Sequence, residues 1–310
     1  MKSSHPQNVG ASVRQRLLNL AKDRGEEFQF VLTRFALERL LYRLATTEHP
    51  NRFLLKGALL FAVWSHDIYR PTRDLDLAAT GEAEPERMAE VFRELCQAPS
   101  SSDGLSFDPA SVRAERIREI HQYPGVRVEL VAHLAGARIP LQVDIGYGDA
   151  VTPRPCFVDY PTLLDHPAPR LKAYSQETFV AEKFQAMVLF GIANTRIKDF
   201  YDLWVLATSF NFTGSVLSLA ISATFERRQT LVPIETPVAL TAEFSGDRPK
   251  QTAWRNFMQR ISRDGVAQIE LSEVCSLLEG FLMPPSQAAA SGKTFEAEWT
   301  VPGPWLVKRF

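Results

Sequence analysis

Phe53-Leu54-Leu55-Lys56-Gly57-Ala58-Leu59-Leu60-Phe61 and, shortly after it, Arg70-Pro71-Thr72-Arg73-Asp74-Leu75-Asp76-Leu77-Ala78 decide how this chain is read. The first stretch is a short apolar run that stops at a glycine and resumes at Leu59, which predicts a strand, a turn and a helix to Trp64. The second alternates polar and apolar residues and predicts a strand with Asp74 and Asp76 on one face and Leu75 and Leu77 on the other. Two carboxylates held side by side repel unless a cation lies between them. Mg²⁺, with Mn²⁺ as a substitute, suits such a pair, because it favours oxygen ligands and binds one or two carboxylates plus substrate phosphates. An isolated Asp-x-Asp is more often a solvated strand face, so its surroundings carry the argument.

Those surroundings hold a third acid. Leu141-Gln142-Val143-Asp144-Ile145 is an otherwise apolar strand, and a lone buried carboxylate is costly. Asp144 is therefore expected to face a pocket or a partner; in a pocket, three carboxylates from neighbouring strands would bind two metal ions. In that arrangement Asp144 is the general base or the ligand that positions the acceptor oxygen. Asp149 reads as a turn residue. On the phosphate side, Lys56, Gly57 and Ala58 are the candidate nucleotide-binding residues, since glycine lets backbone N–H groups approach a ligand at a helix start.

Working outward, residues 11–22 and 28–46 predict an N-terminal helical pair, and 84–96 an amphipathic helix. Residues 112–120, 126–131 and 139–145 predict strands. A proline-rich stretch from Thr152 to Pro169 marks a boundary. Beyond it helices are expected at 175–190, 196–208, 213–226, 250–262 and 271–281. The expected organisation is N-terminal helices on the core (1–50), the core (51–160), a helical C-terminal domain (161–282) and a tail (283–310) that is a linker or a docking arm. The helix around Glu177-Thr178-Phe179-Val180-Ala181-Glu182-Lys183 carries Lys183, read either as a snorkelling surface lysine or as a phosphate contact. Asp199 and Asp202 share a face of the next helix. Asp199 either favours a helix N-terminus or orients Lys183 or the nucleotide. His66 and His121 receive no role, and Trp64, Tyr69 and Trp305 read as packing residues.

The 310 residues are 45% hydrophobic and 23% charged, which is a globular composition, and the net charge of −1 excludes a globally basic nucleic-acid-binding chain. Three scattered cysteines, Cys96, Cys156 and Cys275, are expected to be reduced thiols. The first ten residues show no apolar signal core, and no apolar run reaches the roughly 20 residues of a membrane span. A cytoplasmic chain is the expectation.

Taken in order, Lys56-Gly57-Ala58, Arg73-Asp74-Leu75-Asp76-Leu77, Val143-Asp144-Ile145-Gly146, the Lys183 helix and Arg196-Ile197-Lys198-Asp199-Phe200-Tyr201-Asp202-Leu203 resemble the motifs of the AbiEii/AbiGii-type toxin family over roughly residues 30–260. The resemblance implies an α+β fold: a DNA-polymerase-β-like nucleotidyltransferase core, a mixed sheet with helices, plus a helical C-terminal domain. It implies Asp74 and Asp76 as metal ligands, Lys183 on the triphosphate, and Asp199 or Asp202 as a late catalytic-site acid. It implies a toxin of the type IV class that moves NMP from an NTP to a tRNA 3′ end, partnered by an antitoxin carrying a winged-helix domain. Transfer to a protein or small molecule, and GTP binding with little catalysis, are the alternatives. The chain departs from the family in lacking a hydroxyl residue after Gly57, where Ala58 and Leu59 stand, so backbone N–H groups must serve the phosphate there.

Overall fold

The computed structural model describes residues 8–47, 52–65, 70–98, 103–118, 124–261 and 269–307. His66, Tyr69 and His121 lie outside the described residues, as do the last two residues of the strand expected at 112–120. The chain divides into two compact units, residues 1–148 with 156–173, and residues 149–155 with 174–310.

In the first unit, helices α1 (Val9–Arg24) and α2 (Phe28–Thr46) precede strand β1 (Phe53–Lys56). A single 3-10 turn over Gly57–Leu59 leads into the short helix α3 (Leu60–Ser65). Then follow β2 (Asp74–Ala79), α4 (Pro85–Gln97), β3 (Leu105–Arg118), β4 (Pro124–Leu134), β5 (Ala137–Tyr147), β6 (Cys156–Asp159) and β7 (Arg170–Ala173). The strands form one seven-stranded mixed sheet in the order β3-β4-β5-β2-β1-β7-β6, the α+β architecture expected. Parallel pairing joins β2 to β5 and β1 to β7, while β1–β2 and the β3-β4-β5 meander are antiparallel.

The core lies on one face of this sheet. Leu55, Leu75, Leu77, Val126, Val128, Val143 and Ile145 are all buried there. Helix α4 turns Met88, Val91, Phe92 and Leu95 inward, and the Phe92 ring meets Phe53 edge-on at 6.4 Å. Each such side chain contributes about 1.5–3 kcal/mol on burial. A one-residue slip of β2 would send Leu75 and Leu77 into solvent and both aspartates into the core, so the hydrophobic pattern fixes the register.

Strand β6 falls inside the stretch read as a proline-rich boundary, and β7 begins directly after it. Strand β6 forms the sheet edge with mostly exposed side chains and shows no period-two signal, while β7 alternates over only four residues, too few to stand out. What makes them strands is backbone pairing, of β7 with β1 and of β6 with β7.

Helix α2 is buried on nearly all sides, including its charged residues. The Arg43 guanidinium donates to both Asp103 oxygens at 3.0 and 3.4 Å, and Arg39 Nε donates to Asp103 at 3.4 Å. Arg39 also donates to the Pro167 carbonyl at 2.8 Å. Glu38 accepts the Leu163 N–H at 2.7 Å and a hydrogen bond from Arg39 at 3.3 Å. Burial pushes the Glu38 carboxyl up to about 7 from 4.5, with the Leu163 N–H and Arg39 opposing only in part. The unfolded chain thus releases this proton near pH 4.5 while the folded chain keeps it to about 7. The contribution to stability is complete below the lower value and is lost as pH rises through the upper one. This loss is about 3 kcal/mol. Glu38→Gln, which keeps an acceptor for Leu163, is expected to flatten the fall in unfolding free energy between pH 5 and 8, measured by denaturant titration.

The second unit is mostly helical: α5 (Gln176–Phe190), α6 (Ile197–Ser209), α7 (Gly214–Arg227), the one-turn α8 (Ala242–Ser245), α9 (Arg248–Ile261) and α10 (Leu271–Ser291). Ser175 caps α5 by accepting the Thr178 N–H at 3.2 Å. Helix α10 runs ten residues beyond the expected end and through Pro284 and Pro285. Burial of Phe281, Leu282, Met283 and Pro285 offsets the intrahelical bonds those prolines remove. The segment expected to be a tail is folded: β9 (Ala297–Trp299) pairs with β10 (Trp305–Val307) and with the two-residue β8 (Phe212–Thr213). The Trp305 ring stacks on Phe281 at 6.0 Å and its Nε1 donates to the Phe281 carbonyl at 2.9 Å. Cys96, Cys156 and Cys275 are free thiols. Among the described residues no helix is long and apolar enough to cross a membrane.

Candidate active site

The face of the first unit's sheet opposite the core carries charge in register. Lys56 on β1 stands across from Asp76 on β2, Asp76 from Asp144 on β5, Asp144 from Arg127 on β4, and Arg127 from Glu115 on β3. One step along, Asp74, Gln142, Glu129 and Arg113 form a second row. Because the side-chain period of a strand is two, both rows project from the same face. Asp74, Asp76 and Asp144 are therefore neighbours on one surface, although Asp144 is some 70 positions further along the chain.

The glycine turn closes on this row. Gly57 has φ +72°, and a Cβ at that position would lie 2.0 Å from Asp76 Oδ2 and 2.6 Å from its Cγ. No other residue type fits there without moving the carboxylate. Lys56 is buried, and the Ala58 side chain is buried too, so Ala58 offers only backbone. Helix α3 that follows has six residues, too short for the dipole contribution expected at a helix start.

Asp144 is already engaged. Arg127 Nε donates to its Oδ1 at 2.8 Å and Arg127 Nη2 to its Oδ2 at 2.9 Å, a bidentate pair, while Gln142 Nε2 donates to Oδ2 at 3.1 Å. These hydrogen bonds, with Asp74 and Glu115 nearby, hold the Arg127 proton more tightly than usual. Arg127 also removes the like-charge conflict that the register of Asp76 and Asp144 would create. Among the described residues no three His, Cys, Asp or Glu side chains stand together as a metal site. Asp74 and Asp76, side by side on β2, fit a divalent ion held by two carboxylates and substrate phosphates.

The second unit contains its own ionic cluster. Lys183 on α5 is hydrogen-bonded to Asp199 on α6 and lies 2.9 Å from Asp202 Oδ2. Arg196 Nε donates to the other Asp199 oxygen at 2.7 Å. Lys183 is thus 13% exposed and held between two acids, so it is no snorkelling surface residue. Burial alone would raise the Asp199 pKa, but Lys183 and Arg196 outweigh it and hold the carboxyl below its usual range. Asp199 both pairs with Lys183 and stands in the first turn of α6, so its place fits the Lys183 reading and the helix N-terminus reading alike. Asp149 lies in a loop, as a turn residue should, yet its carboxylate is an anchor: it accepts from Tyr174 Oη at 2.9 Å and from Arg228 Nη2 at 3.2 Å.

A sequence model described as "Nucleotidyl transferase AbiEii toxin, Type IV TA system" matches residues 39–280. The chain belongs to the AbiEii family. Two Helicobacter pylori crystal structures are similar in part: JHP933, at 16% identity over 86% of this chain and 94% of that one with a TM-score of 0.46, and a candidate nucleotidyltransferase, at 16% identity over 86% and 96% with a TM-score of 0.44. Neither likeness carries the assignment, which rests on the family match. No curated protein matches the chain.

Residues that the motif reading passed over in this AbiEii chain are Arg127, Gln142 and Arg196. Alternation in Val126-Arg127-Val128-Glu129-Leu130 puts Arg127 on the polar face, but only strand pairing reveals that it meets Asp144. Gly57→Ala is expected to push the Asp76 carboxylate aside by about 1 Å and lower transfer activity about 10²-fold. The positive φ adds a folding cost of about 1–2 kcal/mol. Steady-state kinetics beside a thermal melt separate the two effects.

Proposed function

We propose that this AbiEii-family toxin binds an NTP with Mg²⁺, transfers NMP to the 3′ end of tRNA and releases pyrophosphate, and so blocks translation. The observation that carries the reading is the Gly57 turn pressed against Asp76, with Asp74 beside it on the same strand face. In this reading Asp74 and Asp76 hold the divalent ion. Backbone N–H groups of the Gly57 turn meet phosphate where relatives use a hydroxyl. Lys183, fixed by Asp199 and Asp202, supplies positive charge for the triphosphate. When bound, Mg²⁺ neutralises phosphate charge and activates the acceptor hydroxyl. Positioning and charge neutralisation provide the rate, as in other phosphoryl transfers. The partner is an antitoxin with a winged-helix domain, and the site of action is the cytoplasm.

The test is incubation of the full chain with each labelled NTP, Mg²⁺ and total RNA. Label at the 3′ end of tRNA-sized RNA is the expected result. Label in protein bands or in a low-mass product would move the acceptor to a protein or small molecule. Tight GTP binding with no pyrophosphate released would mark a regulator instead.

A further inference from the structure

Asp144 has both oxygens occupied, by the two arms of Arg127 and by Gln142. Such a carboxylate is arranged to aim a guanidinium. Arg127 has five N–H donors and spends two of them on Asp144, so three remain, on a side chain that is 33% exposed. Its place in the row is informative. Strands lie about 4.8 Å apart, so Arg127 is about 10 Å from Asp76 and about 14 Å from the glycine turn. In the reading above the glycine turn serves the donor triphosphate, and an in-line transfer then brings the acceptor from the opposite side of the metal carboxylates. That side is where β4 and β3 present Arg127 and, diagonally across the pair, the exposed Arg113. A planar guanidinium fork suits a phosphodiester oxygen pair.

We infer that Arg127 binds a backbone phosphate of a polynucleotide acceptor, and that Asp144 with Gln142 positions Arg127 instead of ligating metal or serving as general base. This rests on the nucleotidyltransferase reading above and names the acceptor-side contact of the same site.

The experiment uses the full chain, total tRNA as acceptor probe and Mn²⁺ as metal probe. Arg127→Ala is expected to raise the KM for tRNA roughly tenfold, with the KM for NTP held within about twofold. Arg127→Lys should recover part of the loss, since it keeps charge without the fork. Asp144→Asn should follow Arg127→Ala in its tRNA KM while retaining wild-type Mn²⁺ affinity by electron paramagnetic resonance. Loss of Mn²⁺ binding in Asp144→Asn would restore Asp144 as a metal ligand and overturn the positioning role. A raised KM for NTP with unchanged tRNA KM would put Arg127 on the donor side. Unchanged values for both in Arg127→Ala would reduce the pair to a cross-strand tie. If the wild-type chain transfers no nucleotide, the enzymatic reading itself fails. Filter binding of tRNA to wild-type and Arg127→Ala chains, and the Mn²⁺ titration of Asp144→Asn, still judge this inference separately.

Discussion

Asp76→Asn is expected to lower nucleotidyl transfer by about 10³-fold or more while leaving the folded chain intact, because removing one charge from a two-carboxylate metal site forfeits several kcal/mol of transition-state stabilisation. Two features of the geometry make the prediction specific. Asp76 is the residue that Gly57 gives way to, and it stands in register between Lys56 and Asp144. The asparagine keeps its shape, so the turn has no reason to move. The charge it removes lies between Lys56 and an Asp144 that Arg127 already neutralises, so unfolding free energy should stay within about 1 kcal/mol of the wild type. Activity measured by release of labelled pyrophosphate, beside a denaturant titration, checks both halves. A variant that retains most activity would show that the metal is held elsewhere. One that unfolds would show that Asp76 serves the sheet.

The other large effect concerns stability. Asp103→Ala is expected to destabilise the first unit by about 3–5 kcal/mol, since it leaves buried cations without their acid. Asp103 is fully buried and faces Arg39 and Arg43, which are 0% and 2% exposed. The aspartate also caps its own loop by accepting the Leu105 N–H at 3.0 Å. A surface pair provides the contrast: Arg16 meets Asp165 at 2.8 Å, but with side chains 43% and 95% exposed. Arg16→Ala should cost under about 1 kcal/mol. Urea unfolding of both variants at one pH tests the difference, and equal effects would mean that the buried cluster relaxes or takes in water.

Much of the fold was legible because the pattern that encodes it is local. Helix α2 matches its expected span at both ends, since an apolar period near 3.6 over nineteen residues has few other uses. Alternation likewise places Asp74, Asp76 and Asp144 on the polar faces of β2 and β5, although β5 runs two residues past each of its expected ends. Strands β6 and β7 were not legible. They are four residues each; β7 pairs with β1, more than a hundred positions away, and β6 pairs only with β7. Helix α10 runs past its expected end at residue 281 and through Pro284 and Pro285, because burial of their neighbours overrides the local proline signal.

The site divides in the same way. Chain order alone specified which acids share a face and where the glycine bend falls, because side-chain direction follows from the period of each element; Lys183, Asp199 and Asp202 joined them only through the family resemblance. Tertiary structure alone decided the partners. It set Arg127 against Asp144, enclosed Lys183 between Asp199 and Asp202, and buried Arg39 and Arg43 around Asp103. Those pairings join residues far apart in the chain, and no local pattern fixes which distant charge a side chain will meet. Strand order and burial settle that, since a charge removed from water must find whatever counter-charge the fold brings within reach.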